Sequence, residues 1–366
     1  MSTNTDQKPS ALVVNEQYQE IQDDELTPSA ESMEIVGGAL NEPVHLIITK
    51  QVGGTQDKLD VLAESISSEQ LRPEFVPGQQ CPDDRAPRYR KKLAVAGFTL
   101  EHAGQSVFGG LGQVGKAVSG MLYQNFRETG SVQPFAAPDR QMFASLGSAP
   151  THAGFGNRLS KYSAVSREMG VQFVVSGVVR NVDVHNPDAW NTSTYAKMKR
   201  SLFSADKARD FVVDVVVHDG YTGQVVMEER YATSGRWDVS RTDRVGIDSE
   251  RFGETGYGQA VSDLLEEISG DITRRLECQP MLVPILEVTG KDLVLDVGTD
   301  SGLLPGVKMN VVRAQSSWAN PDAPPRLVDT GVKLHIHSLS LDRSIAWMPE
   351  HGGALNIQLG DYAVIY

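Results

Sequence analysis

The segment Gly110-Leu111-Gly112-Gln113-Val114-Gly115-Lys116-Ala117 comes nearest to a recognisable chemical motif. It matches GxGxxG and most of a P-loop, patterns in which glycines let backbone N–H groups close on phosphate oxygens. A P-loop also needs Ser or Thr after the lysine to hold Mg²⁺, and here that position is Ala117. The dinucleotide fingerprint needs a strand running straight into the glycines, yet about ten residues separate Phe98 from Gly110. Leu111 and Val114 also belong to an apolar helical stripe. The segment therefore reads as the Gly-rich opening of a helix, with a nucleotide-binding enzyme using residues 110–117 as an alternative.

His335-Ile336-His337 puts two imidazoles on one face only in a strand, where i and i+2 align. His351 is a candidate third ligand, but no carboxylate stands at a spacing that completes a zinc site. Two histidines on the outward face of a strand is the favoured reading. The pairs Asp183/His185 and His218/Asp219 carry no further signal, and Glu266/Glu267 flank a helical stripe as a solvated face. GxSxG, HExxH and reactive Cys-His arrangements are absent from the sequence. No catalytic residue, cofactor or metal ligand is assigned. In Gly302-Leu303-Leu304-Pro305-Gly306 the two leucines either dock a partner or close a core, and burial is favoured.

The two cysteines, Cys81 and Cys278, match no CxxC spacing. Free thiols suit a cytoplasmic protein, whereas one disulfide points to the periplasm or cell exterior. The disulfide is favoured, because Cys81 precedes the first strand of a central unit and Cys278 follows its last helix. Closing so long a loop contributes about 4–5 kcal/mol in the chain-entropy picture.

The elements that would position these residues follow from composition and periodicity. The 366 residues allow two or three domains, and 34 Gly with 18 Pro imply many turns. With 47 acidic against 34 basic residues the formal charge is −13, which disfavours nucleic acid. No apolar run of about 18 residues provides a transmembrane segment, and an export signal is not visible at the start. Residues 1–35 read as a disordered acidic tail. Residues 36–80 read as a partial N-terminal domain and linker, with a strand at Val44–Thr49 and linker prolines Pro73, Pro77 and Pro82.

Residues 81–280 read as a central α/β unit in the order β-α-β-α-β-β-β-α. Lys92–Phe98 is a buried strand. Leu111, Val114, Val118, Met121, Leu122 and Phe126 fall on one helical face that ends at Gly130. A short strand at Val132–Phe135 follows. A second helix, carrying Leu159, Tyr162, Val165 and Met169, ends at Gly170. Strand 171–179, a loop or flap over 184–209, and a hairpin turning at Asp219-Gly220-Tyr221-Thr222-Gly223 come next. The stripe Val261, Leu264, Leu265, Ile268, Ile272 and Leu276 makes a last helix, stopped at Pro280. Residues 281–366 read as a small all-β, barrel-like domain. Its expected strands are 282–288, 293–297, 307–312, 332–336, 344–347 and 362–365.

Several of these stretches resemble the flagellar assembly protein T family. They are Cys81 with Tyr89–Phe98, Asp214–Gly223, Leu276–Pro280, Gly302–Gly306 and Leu359-Gly360-Asp361, in that order over residues 81–366. The resemblance implies a middle domain similar to the N-terminal domain of TolB, hence an α+β or α/β fold class followed by the small β domain. It implies a structural, non-enzymatic component of the bacterial flagellar basal body: the H-ring around its outer rings, supporting motor and stator assembly. It implies a periplasmic location, with other basal-body ring proteins and copies of itself as partners and with outer-membrane-proximal contacts. A non-flagellar periplasmic TolB-like adapter that binds envelope proteins is the alternative.

Overall fold

The computed structural model describes residues 89–143, 157–190, 207–240, 243–315, 325–349 and 355–366, together with strand β1 (Glu74–Phe75). The expectations for residues 1–35 and 36–80 otherwise lie outside the described residues. What is described is an α/β domain built on a mixed sheet, followed by a closed antiparallel barrel.

The sheet begins with β2 (Lys92–Gly97), which Phe98 interrupts before β3 (Thr99–Leu100). Helix α1 (Val114–Thr129) follows, and Gly130 closes it in the left-handed conformation with φ 64°. Next come β4 (Gln133–Gln141), α2 (Asn157–Met169) and β5 (Phe173–Asn181). A long hairpin joins β6 (Ala208–Asp219) to β7 (Val225–Arg236). The short helix α3 (Glu250–Gly253) then leads to α4 (Gly256–Glu277). The sheet order is β4-β2-β5-β6-β7, with β2 parallel to both β4 and β5 and the last two pairings antiparallel.

Alternation along each strand divides the core. Leu93, Val95, Phe173, Val175, Phe211, Val213, Val215 and Val217 face the layer of α1 and α4. Ala94, Ala96, Val174 and Val178 face Tyr162 and Val165 of α2. The central strands are apolar on both faces because helices cover both.

The barrel strands are β8 (Met281–Thr289), β9 (Asp292–Leu295), β10 (Lys308–Gln315), β11 (Arg326–Leu339), β12 (Ser344–Trp347) and β13 (Asp361–Ile365). They run in the order β11-β10-β13-β8-β9-β12, and pairing of β12 with β11 closes the cylinder. β1 adds to the outer edge of β11, Glu74 opposite Val328 and Phe75 opposite Leu327.

Several strands exceed their expected lengths, each for a physical reason. β4 extends through Pro138 to Gln141, which an edge strand tolerates because half its ladder is unpaired. β6 begins at Ala208, inside the expected loop. β11 starts at Arg326, ahead of the expected 332, and so takes in Asp329-Thr330-Gly331, opposite a register shift between Asn310 and Val312. A bulge accommodates such residues without ending the strand.

Two glycines of α1 have opposite surroundings. A Cβ on Gly115 would lie 2.0 Å from the Phe98 carbonyl oxygen, whereas one on Gly120 would meet nothing within 4 Å. Gly115→Ala is expected to lower stability by about 1–3 kcal/mol. Gly120→Ala is expected to raise it by about 0.4–1 kcal/mol. Urea denaturation of the two variants checks both signs, and like signs would contradict the packing of α1 on β2.

Candidate functional site

The hairpin turn between β6 and β7 meets the outer wall of the barrel, and buried polar groups that join separate elements form one cluster there and another around Arg209. Asp219, fully buried, closes the turn: its Oδ1 accepts from the N–H groups of Tyr221 at 2.8 Å and Thr222 at 3.0 Å. Its Oδ2 accepts from Gln172 Nε2 at 3.0 Å. Burial raises the carboxyl pKa, and the donated hydrogen bonds counter part of that rise. Gly220 is required because a Cβ there would lie 1.5 Å from Ser166 Oγ of α2.

Gln172 carries the contact across to the barrel. The same Nε2 donates to the Pro280 carbonyl at 3.1 Å, and Oε1 accepts from the Leu282 N–H at 3.0 Å. The Tyr221 ring stacks on Tyr362 with centroids 4.9 Å apart, within an apolar cluster of Leu282, Val312, Leu327 and Val364. Burial raises the pKa of both phenols, that of Tyr362 to about 12. At the rim, Lys92 Nζ lies 3.1 Å from Asp296 Oδ2, and Gln133 Nε2 donates to Asp300 Oδ2 at 2.8 Å. The Arg90 N–H donates to the Ser301 carbonyl, and Tyr89 is buried in the barrel core. A cavity of about 20 Å³ beside Lys92, Gln172 and Tyr221 is the size of one water, not of a substrate.

The second centre is Arg209, with no solvent exposure. Its guanidinium donates to the carbonyls of Val182 at 2.8 Å, Phe108 at 2.9 Å and Gln105 at 3.1 Å. It sits 5.0 Å from the Trp237 ring, 5.5 Å from Tyr257 and 5.7 Å from Phe108. Carbonyl dipoles and aromatic faces thus replace water around a charge that burial destabilises, and its pKa is lowered accordingly.

This packing accounts for the glycine that leads into the Gly-rich segment. Gly109, at φ +79°, would place a Cβ 2.5 Å from the Trp237 ring, and its carbonyl accepts from the Val245 N–H. Leu111 and Val114 are fully buried, while Lys116 Nζ lies 2.5 Å from Asp139 Oδ1.

The other expected residues are dispersed. His335 and His337 share the outward face of β11, as the spacing predicts. His335 sits beside Trp347 at 6.5 Å, His337 lies 3.6 Å from Asp292, and His351 lies outside the described residues. No group of three metal-binding side chains occurs among the described residues. Leu303 is buried in the barrel, but Leu304 is exposed, so the leucine pair divides between the two readings. Cys278 caps α4 and is disulfide-bonded, while Cys81 lies outside the described residues. Among the described residues no helix is long and apolar enough to cross a membrane.

Gln172, Arg209 and Tyr362 were not singled out by motif or spacing, and Tyr89 and Tyr221 entered only as part of the entry stretch and the hairpin turn. One signal was present: Met281-Leu282-Val283, Val311-Val312 and Ala363-Val364 are apolar at consecutive positions. A barrel strand has that pattern when its outer face is also covered.

Comparison with known proteins agrees with the order of these elements. The family model for flagellar assembly protein T, middle domain, matches residues 79–247, and that for its C-terminal domain matches residues 290–365. No curated protein matches the sequence. Among solved structures, the chain is similar to the PelC dodecamer from Paraburkholderia phytofirmans. That match has 13% identity and a TM-score of 0.29, over 49% of this chain and 84% of that one. A hypothetical protein from Chlamydia trachomatis matches at 13% identity and a TM-score of 0.35, over 51% and 98%. TolB from Acinetobacter baumannii matches at 12% identity and a TM-score of 0.23, over 71% and 58%.

Two outcomes follow. Arg209→Met would leave one buried and two partly buried carbonyls without their donor, and is expected to cost about 3 kcal/mol in urea denaturation. His218 stacks on Tyr162 at 3.7 Å, its Nδ1 is buried without a partner, and burial pushes its pKa down to about 4. Above about pH 6.5 both folded and unfolded chains hold it neutral. Between there and about pH 4 only the unfolded chain takes the proton, so stability falls as pH falls, by about 1.4 kcal/mol per pH unit. His218→Phe is expected to remove this contribution, measured as the wild-type-minus-variant difference at about pH 7 and about pH 4.5. An unchanged difference would mean that His218 is protonated in the folded chain.

Proposed function

The chain belongs to the flagellar assembly protein T family, and on that premise we propose that it is a structural component of the bacterial flagellar basal body. In this reading it belongs to the H-ring around the outer rings, supports assembly of the motor and its stators, and acts without catalysis. The observation that carries the proposal is the pair of family matches, middle then C-terminal, in their proper order along one chain. The chemistry of the buried centres is consistent with it: Asp219, Gln172 and Arg209 spend their hydrogen bonds on holding elements together.

The domain limits are proposed as 1–35 for an acidic tail, 36–80 for a partial N-terminal domain and linker, 81–280 for the middle domain and 281–366 for the C-terminal domain. The disulfide of Cys278 supports an oxidising compartment, hence the periplasm. We assign Cys81 as its partner because the sequence holds only two cysteines. Other basal-body ring proteins and further copies of this chain are the proposed partners. Ring subunits meet through head-to-tail contacts that close by rotation.

Tagging the chromosomal gene and purifying basal bodies tests the reading. The protein is expected to co-purify with basal bodies from the periplasmic side, and its deletion to impair swimming and remove ring density. Intact swimming with unchanged rings, or a reduced protein confined to the cytoplasm, would overturn it.

A further inference from the structure

We infer that the mixed sheet and the barrel form one mechanical body without a hinge, although two separate family models match them. Neighbouring domains ordinarily move against one another unless a large apolar interface joins them. The path of the chain opposes such motion here, because the α/β domain is an insertion into the barrel.

The barrel contains residues from both sides of the sheet in sequence. Tyr89, just before β2, is buried with Met281, Val283, Leu295, Leu303 and Met309 in the barrel core. β1, earlier still, pairs with β11 at Leu327 and Val328. The chain therefore leaves the barrel at Arg90, builds the sheet and its helices, and returns at Met281. Two backbone crossings fix the relative orientation, where a single linker would leave a swivel.

Both crossings are also short and pinned. The Arg90 N–H is bonded to Ser301 of the barrel. The return runs only from Cys278 to Pro280, whose carbonyl is held by Gln172. Between the crossings, Tyr221 stacks on Tyr362 and the Lys92–Asp296 pair closes the rim. The barrel therefore lacks part of its core without the segment that leads into the sheet, and the Tyr221 ring of the sheet's hairpin turn is buried against the barrel. For a ring subunit this would make the two parts a rigid strut; that use rests on the function proposed above, whereas the cooperativity does not.

The full chain, its disulfide intact, can be labelled uniformly with 5-fluorotryptophan and followed by fluorine NMR through a urea series. The four tryptophans include Trp237 in the sheet domain and Trp347 on the barrel, assigned by single Trp→Phe variants. The native resonances of both are expected to disappear at one urea midpoint. Tyr89→Leu, which empties a barrel position, is expected to lower both midpoints together by about 0.5–1 M. Tyr221→Leu supplies the same comparison if Tyr89→Leu does not fold. Loss of Trp347 at lower urea than Trp237 in the wild-type chain, or a variant that moves one midpoint alone, would overturn the inference. A protein absent from basal bodies that still unfolds as one unit would overturn only the functional reading.

Discussion

The carboxyl group of Asp219 is buried with no cationic partner among the described residues, and the structure around it is arranged to supply hydrogen-bond donors in place of water. Leaving such a group unsatisfied would cost several kcal/mol. Two donors come from the turn's own backbone, which fixes the turn, and the third comes from Gln172. Gln172 in turn holds both the exit of the α/β domain and the first strand of the barrel. One buried carboxyl group thereby links the shape of the hairpin tip, the position of Tyr221 on it, and the face that the barrel presents to it.

Arg209 plays the corresponding part at the opposite end of β6. Its three carbonyl acceptors belong to the segment ahead of the Gly-rich loop and to the segment after β5, and its aromatic neighbours are Phe108 of the former, Trp237 after β7 and Tyr257 at the start of α4. A lysine could not serve three divergent carbonyls while lying flat against the rings. Of the glycines that suggest a phosphate loop, Gly115 is explained by its close approach to Phe98 and Gly110 by its positive φ against Arg244. A Cβ on Gly112 would meet nothing within 4 Å. The same residue type serves both ends, since a missing Cβ admits a phosphate or a neighbouring side chain equally well.

The junction around Asp219 and Gln172 coincides with two stretches that carry the family resemblance. The stretch Asp214–Gly223, one of those that carry the resemblance, contains the turn that docks the barrel. Leu276–Pro280 contains the helix end and the connection that Gln172 grips. Two of the stretches that carry the resemblance thus lie where the two parts meet. The family matches and the fold establish the family, the fold class and the α/β-then-β order, and the basal-body ring role is proposed from them.

The sequence by itself determined the elements and their order. Helical stripes of period 3.6 and the β-branched runs depend on local patterning alone, and α1, α2, α4, the β6–β7 hairpin and all six barrel strands were legible. Strand ends were less so: Pro138 in β4 and Asp329-Thr330-Gly331 in β11 carry turn chemistry that an edge position and a bulge absorb. Cys278 and Pro280 at the end of α4 were also visible as a stop. Only the tertiary structure decided what the buried polar residues do, that Tyr89 belongs to the barrel, and that the α/β domain is inserted into it. Those facts rest on contacts between residues far apart along the chain, as Gln172 is from Leu282. Periodicity encodes which face of an element is buried, but not which distant element buries it.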